Sequence, residues 1–178
     1  MRCDLASLES VKNFAEEFQK ENSKLDMLIC NAAVFGPPHG LTEDGFEQTF
    51  QINYLAHVYL IQSLQDVLIA SAPSRVVLVS SEGHRFSLLS RHNISWENLS
   101  PCSPRNFIST VAYADSKLCM ILITRYLARM YQNYNVTVHS CHPGNAVYTG
   151  LQRNWWLYKL LWTLARPFTK SVVGFHSM

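Results

Sequence analysis

An excess of charge of either sign is the first thing this sequence lacks. Fifteen Lys and Arg stand against thirteen Asp and Glu, a formal net charge of +2, and no run of five like charges occurs. Nothing therefore encodes a basic nucleic-acid arm or an acidic tail, and no nucleic-acid partner is expected. Paired cysteines are missing as well. Cys3, Cys30, Cys102, Cys119 and Cys141 are odd in number, scattered and without a C-x-x-C, as expected of a reduced, cytoplasmic chain. No eighteen-residue uncharged apolar stretch exists to span a bilayer as a helix. Met1-Arg2-Cys3-Asp4 begins no apolar run, so no secretory signal is expected, and the Asn-x-Ser/Thr triplets at Asn93, Asn98 and Asn135 carry no weight. What the chain has is core: 48% apolar residues in 178, enough for one packed domain.

The apolar residues are ordered in two ways. Leu8, Val11, Phe14, Ala15 and Phe18 recur at helical spacing behind a capping Ser7, predicting an amphipathic helix over 8–21. Residues 25–30 form a short apolar run without alternation, which predicts a strand covered on both faces. Thr42 is expected to cap a long helix over 43–70 that Ser71-Ala72-Pro73-Ser74 stops. Val76-Val77-Leu78-Val79 predicts a second buried strand and Val136–Cys141 a third, with a long loop over 83–109 and a helix over 111–132 between them. Strand, helix, strand, helix, strand is the signature of α/β architecture with parallel βαβ units. Such sheets bind ligands at the carboxyl ends of their strands. Asn31, Ser81 and His142-Pro143-Gly144 stand at those three ends.

Tyr113-Ala114-Asp115-Ser116-Lys117 places a phenol and an ammonium four residues apart, on one face of the third helical segment. A neighbouring cation favours the phenolate, so Lys117 is expected to lower the pKa of Tyr113 toward the range useful for acid–base chemistry. His139-x-Cys141-His142 has the composition of a metal site, but alternate strand residues face opposite sides and no carboxylate is close in sequence, so no metal is expected.

With these residues in order, namely Asn31-Ala32-Ala33, Asn53, Ser80-Ser81, Tyr113 with Lys117, and then Pro143-Gly144, the chain resembles the short-chain dehydrogenase/reductase family. The resemblance implies a Rossmann-like doubly wound parallel sheet and an NAD(P)-dependent oxidoreductase of apolar carbonyls or alcohols, steroid- or retinoid-like. It implies Tyr113 as acid and base, Lys117 as its partner and ribose ligand, Ser81 as the substrate's hydrogen-bond donor and Ser80 as structural. It further implies that Asn53 perturbs its helix to hold a water in a proton relay. NADP or NAD would be held by Asp4, Asn31, Ala32, Ala33, Tyr113, Lys117, Pro143 and Gly144; Thr149 departs from the family's spacing. Ser81 and Tyr113 lie thirty-two residues apart, farther than is usual in the family, so the intervening loop is expected to shape the substrate entrance.

The family's glycine-rich strand–turn–helix, whose amides cradle pyrophosphate, is not found: none of the seven glycines falls in that spacing. Residues 171–178 also leave the family pattern. The resemblance thus implies an incomplete sheet in one partial domain over 1–178, its strand at 25–30 left as an apolar edge. A helix over about 151–166, bearing Trp155-Trp156 and Trp162, would be the substrate lid, with membrane-surface contact by 155–162 as an alternative. Two functional readings stay open: an active enzyme, cytoplasmic or by family likeness nuclear or mitochondrial, and a truncated, inactive form acting through protein partners.

Overall fold

The structure is a computed structural model that describes residues 1–90, 92–105, 107–143, 147–148 and 170–171. Helix α1 (Leu8–Glu21) opens it, and the Ser7 hydroxyl accepts from the Ser10 amide at 3.3 Å, as the sequence predicts. Strand β1 (Met27–Cys30) follows, then α2 (Gln48–Phe50), a π-helical turn (Gln51–Leu55), α3 (Ala56–Ser63) and α4 (Gln65–Ala70). Strand β2 (Ser74–Val79) leads into a 3₁₀ turn (Glu82–Phe86), the short α5 (Trp96–Leu99) and the long α6 (Ser109–Tyr131). Strand β3 is Val136–Cys141, and a separate parallel pair joins β4 (Val147–Tyr148) to β5 (Lys170–Ser171).

The main sheet is parallel in the order β1-β2-β3, with Met27 opposite Arg75 and Ser74 opposite Val136. Leu28, Cys30, Val76, Leu78, Val136 and Val138 point to one face, where Ile61 and Leu68 of α3 and α4 and Met120, Leu127 and Tyr131 of α6 pack on them. A second apolar cluster lies outside that layer, where Val11 and Ala15 of α1 meet Ala56, Leu60 and Leu64. Among the described residues no helix is long and apolar enough to cross a membrane.

Two expectations need correction. Among the described residues the strands are covered on one face only. Burial alternates along β2 and β3, and on the second face Met27 is 48% and Ile29 57% exposed, with Arg75, Thr137, His139 and Cys141 also exposed. The cause is topological. Right-handed crossovers that step through the sheet in one direction set their helices down on the same side, so α3, α4 and α6 share one face. A short apolar run reads the same whether one or both of its faces are covered. The predicted helix over 43–70 is also not continuous. Gly45 adopts φ +83°, Leu41 and Glu47 form an antiparallel bridge, and helix begins only at Gln48. Glu47, not Thr42, caps it: its buried carboxylate accepts from the Thr49 and Phe50 amides at 2.9 and 2.8 Å. The Thr42 hydroxyl bonds Gln51 instead. The predicted lid over 151–166, Trp155, Trp156 and Trp162 included, lies outside the described residues.

Strand β1 is the sheet edge the sequence anticipated. Exposed apolar edges recruit further chains. Ile29→Lys is therefore expected to lower concentration-dependent light scattering while leaving the thermal midpoint nearly unchanged, since Ile29 contributes little to the core.

Candidate active site

The three strands deliver their polar ends to one edge, and helix α6 crosses it. Tyr113 and Lys117, one turn apart on α6, are both buried. Ser80 and Ser81 follow β2. The Ser80 hydroxyl donates to the Lys117 carbonyl at 2.8 Å, a structural tie between strand and helix. Ser81 stands beside the Tyr113 ring and favours ionisation of its phenol, and it accepts the Gly83 amide at 3.1 Å. Phe35, four residues beyond Asn31, sets its ring edge-to-face on Tyr113 with centroids 4.8 Å apart. The sequence brings these together because each stands just past a strand end or on α6, which packs across β2 and β3.

Asn53 sits in the π-helical turn, completely buried. Its Oδ1 accepts from the Val34 amide at 2.8 Å, and its Nδ2 donates to the Val34 carbonyl at 3.0 Å and to Ser116 Oγ at 3.1 Å. Ser116 in turn donates to the Tyr113 carbonyl at 2.7 Å. The helix takes a π turn at Asn53, and π turns recur at functional sites. The side-chain amide itself clamps the chain beyond β1 to the helix that carries Tyr113.

The electrostatics differ from the simple expectation. Lys117 Nζ donates to the Val79 carbonyl at 2.9 Å and lies 5.7 Å from the Tyr113 ring centroid. Burial pushes the Tyr113 pKa up, and the opposing pull comes from Ser81 rather than from Lys117. Burial also lowers Lys117 to about 8. Between pH 8 and its ordinary 10.5 the unfolded lysine binds more proton than the folded one, so this group makes the fold gain stability as pH rises through that window. The stability of the wild type relative to Lys117→Met, from urea unfolding, should grow by about 3 kcal/mol across it.

Asn31 and Ala32 are exposed and Ala33 is half-buried at the end of β1. His57 holds this turn from α3, its Nε2 lying 2.8 Å from the Ala32 carbonyl. Burial, reinforced by the Lys117 charge, lowers the His57 pKa and keeps the imidazole a neutral donor. Pro143 is exposed beyond β3; Gly144 and Thr149 lie outside the described residues. Asp4 stands apart from the Tyr113 group. Its carboxylate accepts the Ala6 amide at 3.0 Å and borders an open cleft of about 310 Å³ with Ser7, Thr42 and Gln48. His142, which the sequence set beside His139 and Cys141, lies 3.4 Å from Glu82.

Sequence reasoning missed Phe35, His57, Gly83 and Ser116. His57 follows Asn53 by one helical turn and Ser116 precedes Lys117, so spacing held a signal for both. The roles of Phe35 and Gly83 arise only from proximity in space.

The pattern of the family described as short chain dehydrogenase matches residues 1–90. The WW domain-containing oxidoreductase of Gallus gallus is 52% identical over 174 residues, which are 97% of this chain and 42% of that protein. Retinol dehydrogenase 13 of Mus musculus is 36% identical over 189 residues, 97% of this chain and 55% of that one. Among solved structures, an uncharacterised protein from Mycobacterium paratuberculosis superposes with a TM-score of 0.66 at 32% identity, covering 86% of this chain and 52% of its own. The chain thus spans about half the length of the relatives it matches.

Proposed function

Because the chain belongs to the short-chain dehydrogenase family, we propose that it carries the proton-transfer site of an NAD(P)-dependent oxidoreductase for apolar carbonyls or alcohols, steroid- or retinoid-like, with Tyr113 as acid and base. The observation that supports this most directly is Tyr113, buried beside Ser81 with the Lys117 ammonium 5.7 Å from its ring centroid, at the carboxyl ends of parallel strands. Residues that would hold the cofactor fit it in part. Val79 takes one of the three Lys117 donors, leaving two for ribose hydroxyls. Small, accessible Ala32 lets a ligand approach backbone. No glycine-rich turn stands in the sequence to anchor a pyrophosphate. The cofactor, when bound, supplies or accepts hydride. In reduction the Tyr113 phenol gives its proton to the carbonyl oxygen while Ser81 donates a hydrogen bond to that oxygen; oxidation reverses the transfer. Burial keeps the phenol protonated at neutral pH, which suits reduction. Phe86, Leu88, Trp96 and Ile108, exposed on or beside the long loop between Ser81 and Tyr113, favour an apolar substrate. Residues 151–166 are assigned to the substrate lid of this single partial domain, and a cytoplasmic setting suits its five free thiols.

The test is a thermal melt of the chain, followed by circular dichroism, with and without NADPH. At 100 times Kd the ligand should add about 2.7 kcal/mol and raise the midpoint, and an apolar aldehyde should then consume NADPH. A cooperative melt that NADPH leaves in place would overturn this reading. It would favour the second: a folded but catalytically inactive form that acts through protein partners.

A further inference from the structure

The pair formed by Ser81 and Tyr113 is held by a third group that the proposed mechanism does not use. Gly83 lies in the 3₁₀ turn Glu82–Phe86, and its N–H donates to Ser81 Oγ at 3.1 Å. That bond occupies an acceptor site of the serine and leaves its own proton free to donate, toward the phenol in the free chain and to the substrate oxygen when a substrate is bound. The position is also tight against the serine, while toward the Tyr113 ring it has room for ordinary contact. A Cβ on residue 83 would stand 3.3 Å from Ser81 Oγ and 3.5 and 3.7 Å from Cε1 and Cδ1 of Tyr113. We infer that Gly83 is a positioning residue: its amide sets the direction of the Ser81 hydroxyl, and its missing side chain leaves that hydroxyl the place it takes beside the Tyr113 ring. The inference rests on the reading of Ser81 and Tyr113 as the reacting pair.

The consequence lies in the ionisation of Tyr113, where the Ser81 hydrogen bond opposes the upward push of burial. The titratable and charged groups on the elements packed here are Asp115 and Lys117 on α6, and Glu82, His84 and Arg85 on the turn, with His142 paired to Glu82. All of them are retained in the variants that follow.

The phenol is read directly in the full chain carrying ¹³Cζ-tyrosine, its Tyr113 signal identified by Tyr113→Phe and titrated by NMR. Ser81→Ala and Gly83→Ala should each move the Tyr113 midpoint upward, and the double variant should go no higher than Ser81→Ala alone. A merely structural glycine would change the melting temperature and not this midpoint. A Gly83→Ala midpoint at the wild-type value, with Ser81→Ala raised, overturns the role of Gly83. Both midpoints unmoved would overturn the pairing itself, and with it the proposed site. Should Gly83→Ala not fold, the amide is read instead in ¹⁵N-glycine-labelled protein. Ser81→Ala should shift the Gly83 resonance and speed its hydrogen exchange, and an unaltered signal would overturn the inference.

Discussion

Tyr113→Phe is expected to cut NADPH-dependent reduction of an apolar aldehyde by about 10²–10⁴-fold, the usual reach of a positioned acid or base. The substitution removes one oxygen. The ring stays against Phe35, the backbone bond from Ser116 to the residue 113 carbonyl does not depend on the side chain, and losing the polar contact with Ser81 costs at most about 1 kcal/mol of stability. A steady-state assay paired with a melt separates the two quantities. If kcat falls while the midpoint barely moves, the phenol acts in chemistry. If turnover in the variant equals that of the wild type, Tyr113 is not the acid and the proposed mechanism fails.

Leu78→Ala is expected to remove about 2–5 kcal/mol of stability, from a total that for domains of this size is roughly 5–15 kcal/mol. Leu78 is fully buried on the central strand, under both the α3/α4 layer and α6. Truncation there leaves a cavity between three elements that cannot all collapse into it. Val77→Ala, one residue away on the open face, should cost far less, because Val77 is only half-buried. Urea unfolding of the two variants measures the asymmetry of the sheet, and equal losses would show that the second face is packed after all.

Much of this was legible in the sequence because strand ends and helix periods are local properties. The runs at 25–30, 76–79 and 136–141 became the three parallel strands, and Asn31, Ser81 and Pro143 stand beyond their carboxyl ends. The spacing of Tyr113 and Lys117 placed them on one helix. What stayed hidden depends on through-space partners. The one-sided sheet follows from where the crossovers land, not from the composition of Met27–Cys30. The break near Gly45 follows from a backbone of positive φ and from a carboxylate, Glu47, that outcompetes Thr42 for the helix end. Asn53 gave its position in advance, but its clamp on Val34 needed coordinates. The expected influence of Lys117 on Tyr113 assumed that an ammonium one turn away turns toward the phenol; the Val79 carbonyl engages it instead.

The register of the sheet has a consequence in time. Leu78 is paired opposite Ser140, sixty-two residues later in the chain. At roughly 5–20 residues per second, a ribosome needs about 3–12 seconds after making Leu78 to finish that partner strand. Throughout this interval Val76 and Leu78 lack β3 and, for most of it, α6, with α3 and α4 alone available to cover them. Parallel pairing across such separations closes slowly in any case. The nascent chain is therefore expected to be a client of cotranslational chaperones, with capture concentrated on ribosomes that have passed β2 and have yet to release β3.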